Sequence, residues 1–137
     1  MELDRRFFLA DAEYRQPRGE RPDVHCVSYK RWGDPDVTNV WVRDGAAQPY
    51  DATRDILVCY NAIAELNAFR ALGWDEFENV LDLYVEHRVE ANDIRFRWRL
   101  LDALAYHDLA AIGSTEKDLM RELAIRGAPF RTTSAKP

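Results

Sequence analysis

Residues 56–73 read ILVCYNAIAELNAFRALG. The first four residues form a continuous apolar run, which is typical of a strand that is covered on both faces. From Asn61 onward the apolar residues recur with a period near 3.6, and Gly73 supplies a stop signal for a helix. The stretch therefore predicts a buried strand over Ile56–Tyr60, in a parallel position of a sheet, followed directly by a helix.

Three strands are indicated before this stretch and one after it. Aromatic and apolar runs bounded by turn residues predict them at Phe7–Tyr14, Val24–Tyr29, Val37–Val42 and Val80–Val85. After a charged stretch, two further helices are predicted, one with Leu100, Leu101 and Leu104 and one with Leu119, Met120 and Leu123. Gly113 separates these helices, and Thr115 and Asp118 have the spacing of a capping box. This order predicts an α/β fold, in which an antiparallel meander and parallel strands form a mixed sheet with helices packed on it.

The composition indicates one soluble domain. With 137 residues, 47% of them hydrophobic, the chain is too short for two domains of ordinary size. We expect this domain to span residues 1–130 and the polar tail, residues 131–137, to be disordered. Because no apolar run approaches about 18 residues and the N-terminus is charged, we predict a cytoplasmic protein without membrane association. Cys26 and Cys59 lie in apolar segments without metal-ligand spacing, which indicates buried free thiols.

Asp11 and Glu13 are candidate metal ligands. Side chains two residues apart on a strand project from the same face, so the two carboxylates lie side by side. Two acids at the end of an otherwise apolar strand cost desolvation and like-charge repulsion unless cations lie between them. The alternative is that both acids are simply solvated at the strand end.

Asn61 and Glu65 form a second candidate group at the start of the predicted helix. Their i, i+4 spacing turns both side chains one way. Glu65 is then placed to reach across the carboxyl edge of the sheet toward a neighbouring strand. Alternatively, Asn61 is an N-cap and Glu65 is a first-turn acid favoured by the helix dipole. Asp82, at the end of the next strand, indicates a structural polar contact.

Together these residues resemble the DEDD superfamily of 3′-to-5′ exonucleases, which has an RNase H-like fold with Asp-x-Glu on a strand and Asn-x-x-x-Asp on a helix. Residues 11–13 match the first motif, and residues 61–65 match the second except that Glu65 replaces its Asp. Three stretches look like the exonuclease-like domain of phage and bacterial family A DNA polymerases. They are residues 58–74, 80–84 and 116–123, and Arg126 and Gly127 follow the last of them. The resemblance covers about Phe7–Phe130.

The resemblance implies removal of nucleotides from 3′ ends by two-metal phosphodiester hydrolysis. It makes Asp11, Glu13 and Glu65 both the catalytic residues and the ligands of Mg²⁺ or Mn²⁺, with Asp11 bridging the two ions. The net charge of −5 argues against a protein that coats nucleic acid by bulk electrostatics, but not against an enzyme whose metals meet the phosphate.

The implied partner is a single-stranded 3′ end of nucleic acid, with Asn61, Arg15 and Arg97 as candidate binding residues. Arg97 lies in the run RFRWR, residues 95–99, where basic and aromatic residues alternate as in segments that hold a phosphate backbone and stack a base. The alternative is that the aromatic rings are packed and the arginines are solvated.

The chain departs from the superfamily at the third motif, a Tyr or His four to five residues before a final Asp. We expect that motif after about Phe130, where only seven residues remain and none is acidic. The adjacent Tyr106, His107 and Asp108 lack the spacing and indicate a helix end.

This departure predicts that the last helix is missing and that the sheet face it would cover is exposed. Such an apolar face favours a homodimer or a missing C-terminal partner segment. We also expect weak or absent hydrolysis, and the alternative function is a non-catalytic module that binds nucleic acid or protein.

Overall fold

The computed structural model describes residues 6–42, 45–92 and 98–109, together with Glu116, Asp118, Leu119 and Glu122. In chain order its elements are β1 (Phe7–Arg15), β2 (Asp23–Arg31), β3 (Thr38–Trp41), β4 (Ile56–Cys59), α1 (Ala62–Ala71), β5 (Asn79–Asp82), α2 (Leu83–Glu90) and α3 (Leu100–Tyr106). The last predicted helix is described only at the four single residues, all of which are helical. Its predicted cap at Thr115 and the predicted disordered tail lie outside the described residues.

The five strands form one mixed sheet in the order β3-β2-β1-β4-β5. The first three strands pair antiparallel, as the predicted meander requires. Strand β4 is parallel to both of its neighbours, β1 and β5. Strand β1 is thus the central strand, and the predicted RNase H-like α/β arrangement is confirmed.

The core lies between α1 and one face of the sheet. Phe8 of β1, Leu57 of β4 and Phe69 of α1 are all less than 3% exposed. The ring of Tyr50 stacks on Phe77, with centroids 3.9 Å apart, and joins the same cluster. Burying each of these large side chains contributes about 1.5–3 kcal/mol, so this contact fixes α1 on the sheet.

The opposite face of the sheet is open over the described residues. An apolar groove of about 510 Å³ lies there, lined by Phe7, Leu9, Trp32, Val58, Leu81 and Leu83. The prediction was a strand covered on both faces, but among the described residues only Leu57 and Cys59 of β4 are buried, and its other two residues are partly buried. A homodimer formed through this groove stays a prediction.

The prediction of buried free thiols is confirmed. Cys26 and Cys59 are both free and buried. Burial raises the pKa of the Cys59 thiol to about 12, so this thiol is protonated at neutral pH. Separately, every helix within the described ranges is too short or too polar for a membrane span.

Strand β5 ends at Asp82, three residues before the predicted end of this strand at Val85. The Asp82 carboxylate accepts a hydrogen bond of 2.9 Å from the backbone N–H of Tyr84 and thereby caps α2. Residues 83–85 are therefore helical, and the prediction of a strand there was wrong. A short apolar run suits either element, and here the cap decides between them.

Asp82 also closes the start of α1. Its Oδ1 accepts the N–H of Asn61 at 3.0 Å and its Oδ2 accepts the N–H of Ala62 at 2.9 Å. Asn61 itself is left-handed, with φ 75° and ψ 76°, and its side chain makes no capping hydrogen bond. The capping role considered for Asn61 therefore belongs to Asp82, which lies on the neighbouring strand.

The predicted helix stop at Gly73 is confirmed. Gly73 has a φ of 75°, which glycine adopts without steric cost. Its N–H donates to the carbonyl of Arg70, and the next N–H, from Trp74, donates to the carbonyl of Phe69. These two bonds form a Schellman motif and satisfy the last carbonyls of α1.

We expect Asp82→Ala to lower the free energy of unfolding by about 1–4 kcal/mol, because a lost cap costs about 0.5–2 kcal/mol and this carboxylate serves two helices. Asp82→Asn keeps one acceptor oxygen, so its free energy of unfolding should lie between those of the unmodified chain and Asp82→Ala. The exposed Asp36 offers a matched control, and its change to Ala should stay within about 0.5 kcal/mol. Urea unfolding followed by circular dichroism measures all three. Equal losses for Asp82→Ala and Asp36→Ala would contradict the capping role.

Candidate functional site

Two sequence-distant elements bring the three candidate acids to one edge of the sheet. Asp11 and Glu13 lie on β1, on either side of the buried Ala12, so they project from one face of the central strand. Glu65 lies in the first turn of α1, directly after β4. Because β1 and β4 are parallel, their carboxyl ends point to the same edge of the sheet.

Glu65 reaches across to β1, as predicted. Its Oε2 accepts the backbone N–H of Ala12 at 2.8 Å, and the residue is only 4% exposed. Strand β1 pairs with β4 only over residues 7–9, so this N–H lies beyond the last strand pair. The carboxylate takes the place of a strand carbonyl and satisfies a buried donor. Glu65 therefore has a structural role, which joins α1 to β1, whether or not a metal binds.

The surroundings of Glu65 disfavour its charge. Its pKa is raised to about 8, first by burial and then by the nearby charge of Asp11, with a smaller contribution from Glu13. The hydrogen bond from Ala12 acts in the opposite direction but does not offset these effects. At neutral pH the Glu65 carboxyl is thus mostly protonated, unless positive charge enters the site.

The donor set fits a divalent cation by chemistry but not by geometry. Carboxylate oxygens are the ligands that Mg²⁺ and Mn²⁺ prefer, and a cation would relieve the repulsion felt by Glu65. Yet in the part of the chain that the structure describes, no three His, Cys, Asp or Glu side chains are grouped so that they could hold an ion. An ion held by three protein carboxylates would require these side chains to rearrange, whereas one or two carboxylates and water can hold Mg²⁺.

A cavity of about 630 Å³ opens beside Asp11. Four aromatic residues line it, namely Tyr14, Tyr60, Tyr84 and Trp98. Asn61 and Asp118 supply polar groups to the same lining. A cavity of this volume is large enough for a small organic ligand, and flat rings favour a ligand that is itself flat.

Asp118 is an acidic lining residue that the sequence analysis did not identify as a site residue. The sequence indicated it only as part of a capping box, and the resemblance predicts the final acid after Phe130. The structure places Asp118 in the lining of the same cavity as Asp11. The available signal was an acid at the start of the last predicted helix, but its spacing from any Tyr or His did not match the motif.

The other predicted binding residues are placed differently. Asn61 lines the cavity, and Asp82 holds its backbone in the left-handed conformation. Arg15 pairs with Asp23 at 3.5 Å, and both side chains are about half exposed. Arg97 lies outside the described residues. From the same basic and aromatic run, Trp98 is half-buried and Arg99 is exposed.

The predicted helix end near Tyr106 is confirmed. Helix α3 ends at Tyr106, and His107 is its C-cap. The ring of His107 lies 5.4 Å from that of His87, whose two nitrogens are buried and have no hydrogen-bond partner among the described residues.

No protein-family model matches the chain, and no curated protein matches it. Among solved structures, the chain is similar to the EXO domain of Nibbler from Aedes aegypti, with 16% sequence identity and a TM-score of 0.48. The alignment covers 69% of this chain and 51% of that chain. The chain thus spans about half the length of the structure it matches.

We predict that Glu65 makes the fold less stable as the pH rises. Its pKa in the folded protein, about 8, exceeds its ordinary value of 4.5, so the folded state binds a proton that the unfolded state releases. The free energy of unfolding should therefore fall between about pH 5 and pH 9, by a few kcal/mol at most. Glu65→Gln keeps an acceptor for the Ala12 N–H and should flatten this slope.

Urea unfolding at a series of pH values, without added metal, provides the measurement. Glu86, an exposed acid on α2, offers the matched control, and Glu86→Gln should retain the slope of the unmodified chain. Parallel pH profiles for Glu65→Gln and the unmodified chain would show that Glu65 is ionised in the folded protein at neutral pH.

Proposed function

We propose that the chain is a 3′-to-5′ exonuclease-like domain that binds single-stranded 3′ ends of nucleic acid, with Asp11, Glu13 and Glu65 as the acids of a Mg²⁺ or Mn²⁺ site. One observation carries the proposal. The acids of the two motifs, 52 and 54 residues apart in sequence, meet at one sheet edge, where burial and then the charges of Asp11 and Glu13 raise the pKa of Glu65. Such a cluster of repelling carboxylates is characteristic of functional sites and suits a cation.

A bound divalent ion would supply Lewis-acid stabilisation and a water of lowered pKa. The chain's own residues would determine how such an ion is held and at which pH it binds. Glu65 is held in place by its Oε2, which accepts the Ala12 N–H. Asp11 is exposed and lines the cavity, so it is accessible from the side where substrate would enter. Because Glu65 must lose a proton before it can bind an ion well, we expect metal affinity to rise between pH 6 and about 9.

Binding of nucleic acid would use the cavity and its rim. Asn61 can both donate and accept hydrogen bonds with a base edge or sugar. The ion pair of Arg15 with Asp23 is exposed and therefore weak, so Arg15 can exchange Asp23 for a phosphate. For Arg97 we propose the role expected from the run RFRWR, which is to hold the phosphate backbone.

A second candidate function is a non-catalytic binding module. The Glu65 to Ala12 hydrogen bond gives this acid a structural reason to be present. The lack of a three-ligand group within the described ranges also favours this alternative. The two functions differ in whether ions bind and whether substrate is cleaved, so the two experiments below separate them.

We expect Asp11→Asn to weaken Mn²⁺ binding by at least about tenfold, since even residues that only orient metal ligands cost 10- to 100-fold when lost. The fold should remain intact or become slightly more stable, because the change removes a charge that repels Glu65. Calorimetric titration with MnCl₂ and a thermal melt in EDTA measure the two effects. Asp36→Asn, at an exposed loop position, is the control. Unchanged Mn²⁺ binding together with a lower melting temperature would make Asp11 a structural residue.

Hydrolysis by this chain should be very slow. Two-metal catalysis needs ions and water held in fixed geometry, and no three-ligand group is assembled among the described residues. The loss of general-base assistance alone lowers rates by about 10²- to 10⁴-fold. The assay follows a labelled single-stranded oligonucleotide with the purified chain and Mn²⁺, with Asp11→Ala to exclude contaminating nuclease. Rapid degradation that both Asp11→Ala and Asp118→Ala abolish would show instead that Asp118 completes the site.

A further inference from the structure

We propose that residues 123–130 of this chain, which read LAIRGAPF, dock in the apolar groove on the open face of the sheet. These residues lie outside the described part of the chain, and the groove lies within it. The chain would thereby cover the exposed apolar face by itself. Such a contact needs neither nucleic acid nor a metal ion, so it is independent of the proposed function.

The groove presents apolar surface to water. Every described residue that lines its volume of about 510 Å³ is apolar. Trp32 is 59% exposed and Leu83 is 41% exposed, so two large apolar side chains at the groove remain without full cover. Contiguous apolar surface of this kind marks a docking site, because its removal from water is favourable.

The segment 123–130 has the composition that such a groove requires. Its three large apolar side chains are those of Leu123, Ile125 and Phe130. Gly127 and Pro129 favour the end of the preceding helix, since glycine and proline interrupt helical structure. The sequence therefore predicts that the chain can turn away from the helix axis before Phe130.

The segment is also within reach of the groove. Asp118 lines the same cavity as Asp11, and Leu9, two residues before Asp11 and about 7 Å away along the strand, lines the groove. Glu122 is helical and lies one turn beyond Asp118, a rise of about 6 Å. Eight extended residues span up to about 26 Å. Residues 123–130 can therefore reach the groove whichever way the helix points.

Charge complementarity favours the same contact. Residues 123–137 contain three basic residues and no acid, namely Arg126, Arg131 and Lys136. They carry a net charge of +3, and since the whole chain carries −5, the residues before them carry −8.

Acidic residues lie at both ends of the groove, where they can attract these cations. They are Asp11 and Glu13 beyond Leu9, and Asp34 and Asp36 after Trp32. Lys30, which pairs with Leu9 across the strands, offsets one of these four charges. A basic segment that crosses the groove thus meets a net negative charge.

A second copy of the chain is the competing occupant of the groove. Two copies that each carry −5 repel one another, whereas the segment and the groove attract. A tethered segment also has an effective concentration in the millimolar range, far above the concentration of a second copy in a micromolar solution. Both comparisons favour the chain's own segment.

The test is photo-crosslinking of the full chain with p-benzoylphenylalanine in place of Trp32, at an exposed position that lines the groove. After irradiation, proteolysis and mass spectrometry identify the captured peptide. We expect a crosslink to residues 123–130 of the same chain. Phe130→Asp should lower the yield of this crosslink about fivefold or more, because a carboxylate is costly to bury in an apolar groove. Thr133→Asp, which adds the same charge to the polar tail, is the matched control and should retain the crosslink.

The same photoprobe in place of Ile63 controls for nonspecific capture. Ile63 is 73% exposed on α1, which packs on the other face of the sheet, so we expect no crosslink from it to residues 123–130. Mixing isotope-labelled and unlabelled chains distinguishes capture within one chain from capture between two, and circular dichroism verifies that each variant is folded. Crosslinks only between chains would assign the groove to a second copy and overturn the inference. The lack of any crosslink to residues 123–130, or an unchanged yield in folded Phe130→Asp, would overturn it as well.

Discussion

The carboxylate of Asp82 is the constraint on which the local structure depends. Its two oxygens accept backbone N–H groups from Asn61, Ala62 and Tyr84, and so join the starts of α1 and α2. The first turn of each helix has donors without intrahelical partners, and one acid at the end of β5 satisfies donors in both. Since Tyr60 and Asn61 come directly before α1 and Tyr84 lies at the start of α2, the same group also positions three residues of the cavity lining.

Glu65 combines two requirements that oppose each other. As an acceptor for the Ala12 N–H it stabilises the junction of α1 and β1, and a neutral side chain of the same shape would serve as well. As a buried carboxyl near Asp11 and Glu13 it is costly to ionise, which its raised pKa expresses. Proteins commonly place such destabilised groups at functional sites. The proposed cation site rests on this opposition between the structural role of Glu65 and the cost of its charge.

One face of β1 changes character between Leu9 and Asp11. Up to Leu9, β1 pairs with β4, and this face forms part of the apolar groove. Two residues later, beyond the last pair with β4, the same face lines the acidic and aromatic cavity. The end of β4 marks this boundary because the chain there leaves the sheet as α1. An apolar surface and a polar site thus lie side by side on a single strand.

The sequence by itself determined the parts of the structure that depend on local periodicity. Alternation places Asp11 and Glu13 on one strand face, the change of period after Cys59 starts α1, and Gly73 ends it, since a side-chain pattern states which face must be buried. Tertiary structure decided what depends on partners distant in the chain. The cap on α1 comes from Asp82 instead of Asn61, α2 begins where a strand was predicted, and Asp118 lies at the cavity of Asp11. Local patterns do not predict these contacts, because a backbone N–H donates to any well-placed oxygen, and only the packed sheet determines which oxygen that is.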